Sequence, residues 1–115
     1  MRSPLLYLSE ILSAVQSVKD FASGMDKEAF LEDEKTKSAV VRQFEIMGEA
    51  AKAIPEEIRS LDPTIPWGNI AGMRDRLIHA YFNVDYCLVW DTLEAELPEL
   101  ESKIESLISK LNVRD

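Results

Sequence analysis

Apolar residues recur at steps of three and four along most of this chain, which is the period of a helix with one buried face. Ser3-Pro4 reads as a helix start, a side-chain cap followed by proline in the first turn, and Leu5, Leu8, Leu12, Val15, Val18 and Ala22 then form one stripe. The pattern predicts a helix to about Ser23-Gly24 and a short one from Asp26 that carries Phe30 and Leu31. From about Asp33, Ala39, Val40, Phe44, Met47, Ala50 and Ala51 share a face until Pro55 ends the run. Acids at its start suit the positive end of the helix dipole.

"PEEIRSLDP" predicts a further turn or two, and "PTIP" an extended connector, because proline disfavours helix in the residue before it. Trp67 opens a helix expected to run to about His79 or Tyr81. "VDYCLVWDTLEAEL" and "PELESKIESLISKLNV" are again helix-patterned, with Leu100, Ile104, Leu107, Ile108 and Leu111 as the last stripe. No segment alternates with period two for long enough to predict a strand. The expected fold is all-α: an up-and-down helical bundle of about four to six helices, joined by short links. Residues 1–115 read as one domain.

Composition narrows the class. Hydrophobic residues at 46% and charged residues at 30% describe a globular chain rather than a disordered one. The formal charge of −8 removes any global positive field that would gather nucleic acid, so an RNA-handling role would need a local site. Cys87 is the single cysteine, which fits a reducing cytoplasm, and its apolar setting predicts an inert core thiol. Glu10 and Lys19 interrupt the N-terminal apolar residues before a signal core or membrane span can form, so a cytoplasmic location is expected. Trp67 and Trp90 are expected in the core or at a subunit interface, and Met25, Met47 and Met73 as gap-fillers.

The candidate chemistry lies in "MRDRLIHAYF", residues 73–82, which holds the only histidine. If residues 70–81 form a regular helix, Tyr81 falls within about 20° of Arg74 and His79 about 140° away, on the side of Asp75. Asp75 could then orient the imidazole and favour its protonated form. Arg74 and His79 on one straight helix would not face a single bond. A shared site needs a distorted helix end or a second copy of the helix, as a symmetric dimer supplies. Arg76 is expected to be a solvated charge. Glu49 is either an acid that reaches Arg74 or one on the helix surface. There is no H-x-x-x-H, C-x-x-C or glycine-rich phosphate loop, so neither a metal nor a cofactor is expected.

The spacing R-x-x-x-x-H-x-Y, carried by Arg74, His79 and Tyr81, resembles the signature of the HEPN superfamily. "AVVRQFEIMGEAAKAIP", "IPWGNIAGMRDRLIHAYFNVD" and "VWDTLEAELPELESKI" resemble, in order, the blocks of its HepT-like toxins from prokaryotic toxin–antitoxin pairs, so the likeness covers nearly the whole chain. Asp75 matches the polar residue that commonly follows the motif arginine. The resemblance implies a homodimeric bundle acting as a metal-independent ribonuclease, with Arg74 and His79 catalytic and the motifs of two protomers meeting in a cleft. It also implies a cognate nucleotidyltransferase of the MntA type, which neutralises the toxin by AMPylation of Tyr81. The acidic composition keeps open a second class, a helical module that binds a nucleotide or docks its partner without cleaving RNA.

Overall fold

The computed structural model describes residues 3–80 and 83–114, with backbone alone at 74, 77–80, 113 and 114. Four longer helices make the bundle: α1 (Pro4–Phe21), α3 (Glu34–Ala53), α7 (Tyr86–Ala95) and α8 (Leu97–Arg114). Four short helical segments lie between them: α2 (Lys27–Glu32), α4 (Glu56–Arg59), α5 (Trp67–Ala71) and α6 (Met73–Leu77). The class is all-α, as the periodicity predicts.

α3 is the central element. Val40, Phe44, Met47 and Ala51 recur one and two turns apart along it and are all buried, and this stripe meets Leu8, Ile11, Val15 and Val18 of α1 in the core. α8 closes the other side of α1 with Leu100, Ile104 and Leu107. The short α2 adds Phe30, whose ring centroid lies 5.3 Å from that of Trp90 on α7 at a tilt of 40°. A tilted aromatic pair of this kind contributes about 0.5–1.5 kcal/mol beyond its buried area. Both tryptophans sit in the core, Trp67 at 8% and Trp90 at 6% exposure.

Capping explains where the helices begin. Ser3 accepts from the Leu5 amide, Asp26 from Ala29, Asp33 from Thr36 and Asp85 from Leu88, so each side chain satisfies an amide left free in a first turn. Gly24 takes φ 78°, a left-handed turn after α1 that a side chain would resist. The "PTIP" stretch is a set of turns rather than an extended connector. The Thr64 amide and hydroxyl both donate to Asp62, and the indole N–H of Trp67 is shared between the carbonyls of Arg59 and Asp62, each at 3.1 Å. These bonds fix the angle at which the chain enters α5.

Two expectations fail here. The helix opened by Trp67 does not reach His79: it breaks at Gly72 and stops at Leu77. Residues Ile78–Ala80 (β1) then pair antiparallel with Asn83–Val84 (β2), Ile78 opposite Val84 and Ala80 opposite Asn83, with an irregular register between. Glycine is a poor helix former, which accounts for the break at Gly72, and the β-branched Ile78 and Val84, which stand opposite each other, favour extended backbone. Cys87 is exposed in the first turn of α7, not buried, because the helix turns that position away from the Val89–Trp90 face.

The caps have a pH signature. The amide of Thr36 holds the Asp33 carboxyl below the usual carboxylate range, and the Thr64 hydroxyl, followed by its amide, does the same for Asp62. A carboxyl whose folded value is depressed stabilises the fold above its unfolded value of about 4 and loses that contribution as pH falls through the folded value. Thermal melts of Asp33→Ala should therefore lie below the parent at neutral pH, with the gap narrowing once the pH drops under about 4. A gap constant down to pH 2.5 would remove this account of the cap.

Candidate active site

The segment with the candidate chemistry is held from both ends. On its N-terminal side, α5 and α6 pack on α3, and α6 also touches α7. The close approach depends on Gly48, which is buried in α3: a Cβ built there would lie 3.2 Å from the carbonyl oxygen of Ile70 and 3.5 Å from that of Ala71. Ile70 and Met73, both buried, continue the apolar contact. On the C-terminal side, Asp85 caps α7 directly after β2.

Within this frame, Arg74 and Asp75 belong to α6 and His79 to β1, so the helix ends between the arginine and the histidine. This corrects the geometry expected from one straight helix. The offset of about 140° between Arg74 and His79 does not apply, nor does a one-turn neighbour relation between Asp75 and His79, since residue 79 is in extended backbone. A distorted helix end, one of the two conditions for a shared site, is what the backbone provides. Arg74 and His79 are described in backbone only, and Tyr81 lies outside the described residues. Asp75 is exposed.

Arg76 departs from the solvated charge expected of it. It is half-buried, and its Nη1 is buried without a hydrogen-bond partner among the described residues. Glu49 is an exposed acid whose carboxylate lies 3.8 Å from the ammonium of Lys52, while its alternative partner, the Arg74 side chain, lies outside what is described. A residue that pattern reading missed is Lys37. It occupies a place on the buried stripe of α3, one turn before Val40, and is only 8% exposed. Its ammonium sits 2.8 Å from Glu34 and 4.6 Å from the centre of the Tyr86 ring. A lysine within an apolar stripe was the signal available.

A cleft of about 240 Å³ runs beside α5 and α6, lined by Asn69, Ile70, Met73, Leu97 and Leu100 with Lys103 at its edge. It is smaller than the roughly 300 Å³ at which pockets for drug-sized ligands begin. Among the described residues, no three His, Cys, Asp or Glu side chains gather where they could hold a metal ion, and no helix is long and apolar enough to cross a membrane.

The bundle sets Arg74 in α6 and His79 in β1, on either side of a helix end, and comparison with known proteins identifies the family to which such a chain belongs. Residues 11–107 match the family model described as ribonuclease HepT-like, and the chain belongs to that family. It is 45% identical over 105 residues to a provisionally named RNase of Methanocaldococcus jannaschii, covering 91% of this chain and 90% of the relative. It is 45% identical over 106 residues to "Probable ribonuclease HepT" of Thermococcus cleftensis, covering 92% and 96%. A provisionally named RNase of Caldanaerobacter subterraneus subsp. tengcongensis is 41% identical over 110 residues, covering 96% and 98%. No solved structure matches the chain at a significant level.

The contact at Gly48 can be tested directly. Alanine there gains about 1 kcal/mol of helix propensity against a displacement of a few tenths of an ångström, so Gly48→Ala should be close to neutral. Gly48→Leu has no room beneath the Ile70 carbonyl and should cost about 1–3 kcal/mol in thermal or urea unfolding. Parental stability in the leucine variant would show that α5 does not rest on α3 in this way.

Proposed function

We propose that this chain is a metal-independent RNA endonuclease, the toxin of a prokaryotic toxin–antitoxin pair, working as a homodimer whose cleft combines the motifs of both protomers. Membership of the HepT-like ribonuclease family supports this reading, together with one observation: the helix ends between Arg74 and His79. That ending frees the two side chains from the fixed offset of a single straight helix.

Cleavage without a metal uses the ribose 2′-hydroxyl. A base takes its proton, the 2′-oxygen forms a bond to phosphorus, and the bond from phosphorus to the 5′-oxygen breaks as an acid protonates the departing oxygen. The products are a 2′,3′-cyclic phosphate and a free 5′-hydroxyl. His79 is the general acid/base, with an imidazole that titrates near neutrality, and two copies in a dimer supply both proton-transfer roles. Arg74 binds the phosphate through a planar, permanently charged fork. Asp75 orients the histidine, now from the helix that precedes it rather than from one turn away on the same helix.

Tyr81 is the site of control. A cognate nucleotidyltransferase transfers AMP to its hydroxyl: the phenolic oxygen bonds to the α-phosphorus of ATP and pyrophosphate leaves. The added bulk and negative charge lie two residues from His79, where they compete with substrate phosphate. The site of action is the cytoplasm, where both RNA and ATP are found.

Cleavage of RNA by the purified protein in excess EDTA is the expected result. His79→Ala should slow it by about 10²–10⁴-fold, the usual worth of a general acid/base, with an unchanged circular dichroism spectrum. Tyr81→Phe should cleave yet incorporate no AMP when incubated with ATP and the nucleotidyltransferase. Equal cleavage by the parent and His79→Ala, or none by a folded parent, would sink the nuclease reading and favour a binding module.

A further inference from the structure

We propose that Lys37 is a positioning residue for the Arg74–His79 segment: it orients Tyr86 and so fixes where the β1–β2 hairpin returns to the bundle. The catalytic half of this inference rests on the ribonuclease reading above. The structural half stands on observed contacts.

Lys37 shares the stripe of α3 with Val40, Phe44, Met47 and Ala51, all of them buried, and is itself 8% exposed. An apolar residue would fill that place at lower cost, since an ammonium loses hydration there. Its surroundings compensate in one direction only. Glu34, one turn earlier, takes one side of the ammonium at 2.8 Å, and the face of Tyr86 takes another at 4.6 Å from the ring centre. A cation is attracted to the face of a ring and not to its edge, so the contact favours the ring setting that turns its face to the ammonium. Lys37 therefore selects one setting of Tyr86.

Tyr86 is the first residue of α7 and comes two residues after Val84, where β2 ends. The hairpin thus leaves α3 where α6 packs on it and returns to α3 at Lys37. His79 lies on the first strand of that hairpin, whose partner strand is tied to this return point. Loss of the cation leaves the cores of α1, α3 and α8 intact but lets the base of the hairpin shift. Proton transfer and phosphate binding both suffer from displacements of an ångström.

The test compares the full-length parent with Lys37→Met, which keeps the aliphatic stem, Lys37→Arg, which keeps the charge, and Lys19→Met, which removes only the remote Lys19–Glu101 pair between α1 and α8. Amide hydrogen exchange is followed at Ile78–Ala80, Asn83–Val84 and throughout α1 and α8, together with kcat and KM for RNA in EDTA. In Lys37→Met, exchange in the two strands should rise about tenfold with α1 and α8 unchanged. Its kcat should fall about tenfold with KM within twofold. Lys37→Arg should restore both, and Lys19→Met should change neither. Parental exchange in the strands of Lys37→Met overturns the proposal, as does an equal rise in α1 and α8, which would mean general destabilisation. Faster strand exchange with parental kcat overturns the catalytic half. If the parent itself does not cleave RNA, the ribonuclease reading falls, and the exchange data alone decide whether Lys37 sets the hairpin.

Discussion

Everything that positions the candidate site depends on how closely other elements can approach α3. The helix is covered on more than one side: its Val40–Phe44–Met47–Ala51 stripe meets α1, and Gly48 opens a second face to α5. At Gly48 the approach is backbone to backbone, with the Ile70 carbonyl 3.2 Å from where a side chain would begin. A helix that packs through small residues surrenders apolar area there, yet gains a nearly rigid reference, because no side-chain rotamer intervenes. The motif segment is attached to that reference at α5 and α6. The stability of the bundle and the placement of its polar segment therefore rest on one helix.

The parts legible in the sequence were those governed by burial. Long amphipathic runs with proline and capping residues at their ends specify α1, α3 and α8, because tertiary packing and local preference agree there. The disagreement falls at residues 78–80 and 83–84, where an apparent helical period continues past Leu77 but the backbone forms paired strands. A helical wheel drawn through a helix end gives angles with no physical meaning, so the expected Arg74–His79 offset failed although both residues had been singled out. Cys87 failed for a related reason. An apolar neighbourhood in sequence says little about exposure until the helix phase is fixed, and Asp85 fixes the phase of α7.

Two cations sit in places that composition does not suggest for them. Composition treats both as solvated, and with 21 acids against 13 basic residues each cation has carboxylates to choose from in water. Lys37 is nonetheless withdrawn from solvent against a ring and a single carboxylate, and Arg76 is half-buried, with one guanidinium nitrogen buried and unpaired among the described residues. Both lie at the two attachments of the hairpin: Arg76 in α6 just before it, Lys37 against Tyr86 just after it. Desolvation makes each more sensitive to the exact arrangement around it than a surface charge would be.

An acidic chain also constrains how the proposed chemistry could be controlled. With a net charge of −8, RNA gains little from the overall field, and affinity must come from the few cations at the site itself. Such a site is vulnerable in proportion. On a strongly basic protein, one added phosphodiester would be a small perturbation among many favourable contacts. Here it would offset a large part of the local positive charge near Arg74 and repel the substrate. In the proposed reading, the acidity that makes this chain an unpromising nuclease by composition is what allows a single AMP on Tyr81 to silence it.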